Sequence, residues 1–391
     1  MIEFTFADGE EMGAYDGKNV ITFKSAFINN YKENAHGIAR SKAWKTSGSG
    51  AIFRENYNDP SDLTFDSSVT GVYPAGEGDE VIYSFRINQT SGIYKKHISD
   101  DKTPETHVIN SVDMTFGGGS FNAAKGELAV SMGSGYYNSD IALFNVATGD
   151  YKTVTEGDTA DEDPFISDDN ADEIYYASRA VGRDAHGEFV EFAPSAIYRL
   201  NISAMQLDEV VSSPKYSYFR PVVQGGGLYA IKAPSGKRRG NPLLEIVLIP
   251  YRILQGIVGF INIFVNVFAG KSLTSGGANP ARGRDYDSRK IAIAGNLIDV
   301  EREAKANASK KDSDYGIVPK SWELVNVQSG EVLASGVADY DIASDGTIYY
   351  TNGRRIFSLK DGKRTKICNT SLCLRINCRH EGKVSADLFN L

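Results

Sequence analysis

DEDPFISDDNADEIYYASRA, residues Asp161 to Ala180, decides the fold. A polar turn, Ser167-Asp168-Asp169-Asn170, separates two short runs, the second of them rich in Ile and Tyr. Runs of that length and composition, bounded by Asp, Asn and Gly, read as β-strands. A further strand follows at SAIYRLNI (Ser195–Ile202). The same order returns at DYDIASDGTIYYTN (Asp339–Asn352), followed by RRIFSLKDGKRTKI (Arg354–Ile367). Looser copies are SFNAAKGELAVSMG with SDIALFNVATGDYKTVT, and GVYPAGEGDEVIYSFR with SGIYKKHI. Another, YFRPVVQGGGLYAIKA, breaks off and resumes at SWELVNVQSGEVLASG, and a degenerate one joins GAYDGKNVITFK to GAIFREN.

Units starting near 15, 69, 113, 161, 218 and 339 are 54, 44, 48, 57 and 121 residues apart. Setting aside the 79 residues from Arg238 to Gly316 reduces the last spacing to 42. Six units of similar length, each with room for four short strands, predict an all-β, six-bladed β-propeller. The expected divisions are propeller over 1–237, an insertion in the fifth unit over 238–316, and propeller again over 317–391. A pair of β-sandwiches stays open as the alternative.

Asp163–Ser178 and Asp341–Asn352 resemble the repeat of TolB-like six-bladed propellers: an Asp or Pro, an aromatic or apolar residue, Ser-Pro-Asp-Gly, then a strand. Ser167-Asp168-Asp169 and Ser344-Asp345-Gly346 occupy the turn, without the Pro. The resemblance implies a fold. Propellers of this kind serve as periplasmic scaffolds, as gates on prolyl-peptidase-like hydrolases and as lyases.

Composition excludes some classes. With 42 Lys+Arg against 50 Asp+Glu, the net charge of −8 argues against nucleic acid as a partner. Three cysteines confined to Cys368–Cys378 rule out a disulfide framework for the whole chain. The N-terminal residues show no charged and apolar leader pattern, so the default expectation is the cytoplasm.

The insertion holds the most informative stretch, NPLLEIVLIPYRILQGIVGFINIFVNVFAGK (Asn241–Lys271). It predicts a helix over about 251–269. With about 100° per residue, Arg252, Gln255, Asn262 and Asn266 share one narrow stripe. Leu254, Ile257, Val258, Phe260, Ile261, Phe264, Val265 and Phe268 cover the rest. Such a face needs cover worth on the order of 10 kcal/mol. Three covers are open: a membrane interface, a partner chain, or a second helix expected over Asp287–Lys311. Lys237, Arg238 and Arg239 before the run, and Lys271, Arg282, Arg284, Arg289 and Lys290 after it, favour anionic lipid. At 17 residues, Ile253–Ala269 is short for a lone span.

Signals for catalysis are thin. His36, His97, His107, His186 and His380 fall in separate units, and no G-x-S-x-G elbow or phosphate loop is present. Cys368, Cys373, Cys378 and His380 have poor spacing for zinc; Cys368 and Cys373 read instead as facing residues of a hairpin. The acidic stretch Asp158–Glu173 lacks the order of a calcium loop and reads as a solvated turn. The expectation is a non-catalytic scaffold without a cofactor, peripherally attached to a membrane or membrane protein complex, with a protein partner on a propeller face. The alternatives are a hydrolase or lyase acting in the central cleft, and a structural subunit of a large assembly such as a virion.

Overall fold

The structure, a computed structural model, describes residues 2–42, 65–76, 78–99, 103–133, 137–184, 186, 189–235, 290–293, 296–308 and 314–381. Strands β1 (Phe4–Asp8), β2 (Glu11–Tyr15) and β3 (Val20–Lys24) precede helix α1 (Ala26–Lys42). Two antiparallel sheets follow: β4 (Ser67–Pro74), β5 (Glu80–Ile87), β6 (Thr90–His97) and β7 (Thr106–Ser111); then β8 (Thr115–Asn122), β9 (Glu127–Gly133), β10 (Asp140–Asn145) and β11 (Tyr151–Thr153). The next sheet comprises β12 (Thr159–Ile166), β13 (Glu173–Arg183), β15 (Ala196–Asn201) and β16 (Gln206–Val211), with β14 (Phe189–Phe192) hairpinned onto the extended end of β13.

Strands β17 (Tyr216–Gln224) and β18 (Gly227–Pro234) pair in one sheet with β21 (Glu323–Asn326) and β22 (Val332–Ser335). Between β18 and β21 the chain forms the hairpin β19 (Lys290–Ile293) and β20 (Asn296–Asp299), then helix α2 (Val300–Ala308). A further sheet contains β23 (Asp339–Ile342), β24 (Ile348–Thr351), β25 (Arg355–Lys360) and β26 (Lys363–Asn369). The last strand, β27 (Cys373–Cys378), pairs with β1. The inner strands β4, β8, β12, β17, β23 and β27 contact one another in that order around a ring, which makes six blades.

Five blades begin where the repeat places them. The sixth does not. The unit expected near residue 15 starts inside β2, and its blade takes three strands from the N-terminal region and its inner strand from Cys373–Cys378. Phe4 opposes Cys378 and Phe6 opposes Ile376, so this blade closes the ring. Their side chains join Ile356, Tyr349, Cys373 and Cys378 in one apolar cluster.

This closure also overturns the cysteine hairpin. Cys368 ends an outer strand and registers with Ile356, whereas Cys373 begins the inner strand of the next blade. All three thiols are free. Burial holds those of Cys373 and Cys378 well above their ordinary pKa and pushes Cys368 up to about 11, so none is an active thiolate near neutral pH.

Two helical readings also change. The single helix expected over Asp287–Lys311 is instead a hairpin followed by α2, because Lys290–Ile293 and Asn296–Asp299 satisfy their backbones by pairing across the strands. Helix begins only after Asp299, whose carboxylate caps the Arg302 N–H at 2.9 Å. Buried Asn307 then donates to the carbonyls of Gly316 (3.0 Å) and Val318 (2.9 Å), which fixes α2 to the blade.

Helix α1 lies between the two segments of the degenerate unit, in a stretch for which no element was expected, and the second segment, GAIFREN, lies outside the described residues. Ser25 caps Ile28 at 3.1 Å, and Glu105 accepts the N–H groups of Ala26 (2.8 Å) and Phe27 (2.9 Å). The same buried Glu105 accepts the Tyr83 hydroxyl at 2.7 Å and lies 3.6 Å from Lys96. Replacing it with Ala removes the cap and one member of a buried ion pair. Urea denaturation of Glu105→Ala should show a loss of about 3 kcal/mol, with Glu105→Gln between it and the parent.

Candidate functional site: the charged axis

Five inner strands carry a β-bulge: β4 between Val69 and Gly71, β8 between Phe116 and Gly119, β12 between Glu162 and Phe165, β17 between Phe219 and Val222, and β27 between Cys373 and Arg375. In β12 and β17 a left-handed residue sits in the bulge, Asp163 at φ +52° and Arg220 at φ +56°. Each precedes a proline, Pro164 or Pro221, which has no N–H to lose where the ladder is broken. Such a conformation costs about 1–3 kcal/mol per residue, so the contacts it creates must more than offset it.

Those contacts fill the axis. The Arg220 guanidinium donates to Asp339 Oδ1 at 2.7 Å, to the Ile376 carbonyl at 2.7 Å, to Asn377 Oδ1 at 2.8 Å and to the Gly119 carbonyl at 3.4 Å. One side chain thereby joins four blades. Gly119 is obligatory here, since a Cβ would sit 1.8 Å from the Ala129 carbonyl oxygen. Arg375 reaches across the ring to Asp163 Oδ1 at 2.8 Å, and its guanidinium lies over Gly118. Asn377 completes the set by donating to the Val72 carbonyl at 2.9 Å.

Strand β27 has one edge on β1 and the other facing the axis. Asp339 accepts the Ile376 N–H and Asp341 the Cys378 N–H, both at 2.7 Å, so two carboxylates stand in for a neighbouring strand. Beyond β27 the chain bridges several other blades. His380 lies 2.9 Å from Asp168 on the β12 blade and 3.0 Å from Asp341 on the β23 blade, edge-on to Phe165. Its carbonyl accepts from Ala123 of the β8 blade at 3.4 Å.

Electrostatics follow from this geometry. Burial opposes the charge on His380, but Asp341 and Asp168 more than compensate and raise its pKa to about 10. Burial likewise opposes ionisation of Asp341, and His380 holds it below the ordinary carboxylate value. For Asp339 burial dominates despite Arg220 and Arg375, and its pKa is pushed up to about 6. Arg220, Asp339, Asp341 and His380 are buried; Arg375, at 28% exposure, is partly buried.

The acidic stretch Asp158–Glu173 is not the solvated turn expected. Asp158 lies 3.4 Å from Arg183, Glu162 bonds Arg179, Asp163 holds Arg375 and Asp168 holds His380. Asp161 is buried and accepts the hydroxyls of Thr159 and Ser178, each at 2.7 Å. Asp140 stands beside it, its pKa pushed up to about 7 by burial, Asp161 and Glu156. Among the described residues, no group of three or more His, Cys, Asp or Glu is arranged to hold a metal ion.

Of the residues singled out in the sequence, Lys237, Arg238, Arg239, Arg252, Leu254, Ile257, Val258, Phe260, Ile261, Phe264, Val265, Phe268 and Lys271 lie outside the described residues. No described helix is long and apolar enough to cross a membrane. Sequence reasoning missed Arg220, Asp339, Asp341, Arg375 and Asn377 and took His380 only as a poor zinc ligand. The usable signals were the Arg-Pro and Asp-Pro steps in inner strands and the Asp-x-Asp pair at 339–341.

No protein-family model matches the chain, and no curated protein matches it. Solved structures do. A putative TolB from Agrobacterium tumefaciens is 13% identical over 60% of this chain and 71% of that one, with a TM-score of 0.33. A chain of a nidogen/laminin complex is 7% identical over 98% of this chain and 100% of that one, at 0.48. The tricorn protease is 12% identical over 97% of this chain, which spans 36% of that one, at 0.42. Likeness at these levels carries no argument about activity. The six-bladed arrangement itself rests on the strand order described above.

His380 supplies a pH test. With its pKa raised from 6.5 to about 10, the ion pairs stabilise fully below about pH 6.5 and are lost as pH rises toward 10. The difference in thermal midpoint between the parent and His380→Gln should therefore shrink steadily from pH 6.5 to 10. A difference that stays constant over that range would show that the imidazole is not charged in the folded chain.

Proposed function

We propose that the chain is a non-catalytic interaction scaffold, peripherally attached to a membrane or membrane protein complex through the apolar segment at about 251–269. The observation that carries the scaffold reading is the use made of the charged axis. Arg220, Asp339, Asp341 and His380 are buried, and each bridges blades, so their charge cross-links the ring. The faces of a ring held in this way are rigid platforms for a protein partner.

The attachment reading rests on the sequence of the insertion. Its apolar face needs cover, and the cations on both flanks suit anionic headgroups. A hydrolase or lyase is the second reading, and Asp140 is the observation that favours it. A carboxyl group pushed up to about 7 is suited to acid–base work.

Vesicle co-flotation tests the attachment. The full chain should float with anionic vesicles and less so as salt rises. Replacing Ile257, Phe260 and Phe264 with Asp should leave it in the soluble fraction with its far-UV spectrum unchanged. Flotation undiminished in that variant would remove the attachment reading.

A further inference from the structure

The stretch Arg354–Lys366, RRIFSLKDGKRTK, carries six Lys and Arg residues against one Asp in a chain of net charge −8. It forms the hairpin of β25 and β26, closed by Asp361 (φ +50°) and Gly362 (φ +74°), the left-handed pair that a two-residue turn demands. Strand β26 is outermost in its blade, with an edge unpaired in the sheet. Lys360, Lys363, Arg364 and Lys366 are exposed on it or beside it.

Lysines on an edge strand commonly serve only to prevent edge-to-edge aggregation. If that were the reason here, the other outer strands would share it. They do not. Strands β7 (THVINS) and β22 (VLAS) carry no Lys or Arg, β3 (VITFK) and β11 (YKT) carry one each, and β16 (QLDEVV) is acidic. Strand β26 (KRTKICN) carries three. One blade edge is therefore singled out.

That edge adjoins the root of the insertion. Where the chain returns to the propeller, Asp314 lies 3.0 Å from Arg355 and 3.2 Å from Lys366. Arg355 donates to the Tyr315 carbonyl at 2.8 Å, and the guanidinium groups of Arg354 and Arg355 lie 5.6 and 5.5 Å from the Tyr315 ring. The basic hairpin and the base of the apolar insertion thus form one continuous surface.

We propose that the β25–β26 edge is the propeller's docking surface for anionic lipid headgroups, with Lys363, Arg364 and Lys366 facing the bilayer. This rests on the attachment reading above and adds which side of the propeller meets the membrane. Exposed ammonium and guanidinium groups on one flank are attracted to phosphate and carboxylate headgroups within a Debye length.

The test compares the full chain with two variants on vesicles of phosphatidylcholine alone and of phosphatidylcholine with phosphatidylserine. One variant carries Lys363→Gln, Arg364→Gln and Lys366→Gln. The other removes the same charge elsewhere, by Lys18→Gln, Lys152→Gln and Lys215→Gln, all exposed positions on other blades. The first should lose about tenfold or more in affinity for the anionic vesicles, and the second less than about twofold. Failure of the parent to bind either vesicle would sink the attachment reading and this one with it. Binding by the parent with equal losses in both variants would sink this inference alone. Binding to a DNA duplex as tight as to anionic vesicles, and lost in the first variant, would overturn the assignment to lipid.

Discussion

Everything in this ring depends on how one strand is held at its axial edge. Strand β27 is joined to β1 on one side, and on the other it meets carboxylates instead of a backbone. Asp339 and Asp341, two residues apart and so on one side of β23, accept N–H groups two residues apart on β27. Arg220 then neutralises Asp339 and binds the Ile376 carbonyl and Asn377, so Ile376 has both its N–H and its carbonyl satisfied at the axial edge. A buried arrangement of this kind has a high desolvation cost and is favourable only when every member is paired.

The bulges of β12 and β17 serve this arrangement. A regular inner strand would point its side chains into the neighbouring blades. The left-handed step at Arg220 turns the guanidinium onto the axis, and the one at Asp163 brings a carboxylate to Arg375. Local strain and distant ion pairing are therefore two parts of one device. The apolar clusters between blades supply most of the burial, while the polar axis determines which strand closes the ring.

Much of the architecture was legible because each blade repeats its own local chemistry: a polar turn, a Tyr- or Ile-rich strand, a second strand. The inner strands β4, β8, β12, β17 and β23 all start within two residues of the sequence reading. What failed was non-local. Strand β27 has the same local pattern as any outer strand, and nothing near it says that its partner is Phe4–Asp8. Helix α1, AFINNYKENAHGIARSK, has a weak apolar period, and part of its N-terminal cap comes from Glu105, 79 residues away. The axis was illegible for the same reason, since Arg220 draws its partners from three other blades and no spacing encodes them.

Ring closure by strands so far apart has a consequence for synthesis. Thr5 and Asn377, which lie side by side in the finished blade, are separated by 372 positions. At the usual pace of translation, the edge of β1 waits roughly 20–75 s for its partner to be made. During that interval Phe4 and Phe6 stand beside an unpaired strand edge, the configuration most prone to capture by another chain. The interval between making β1 and making β27 is therefore a long vulnerable period for the nascent chain. The order in which the intervening strands fold cannot shorten that wait, because β27 lies in the blade that closes the ring.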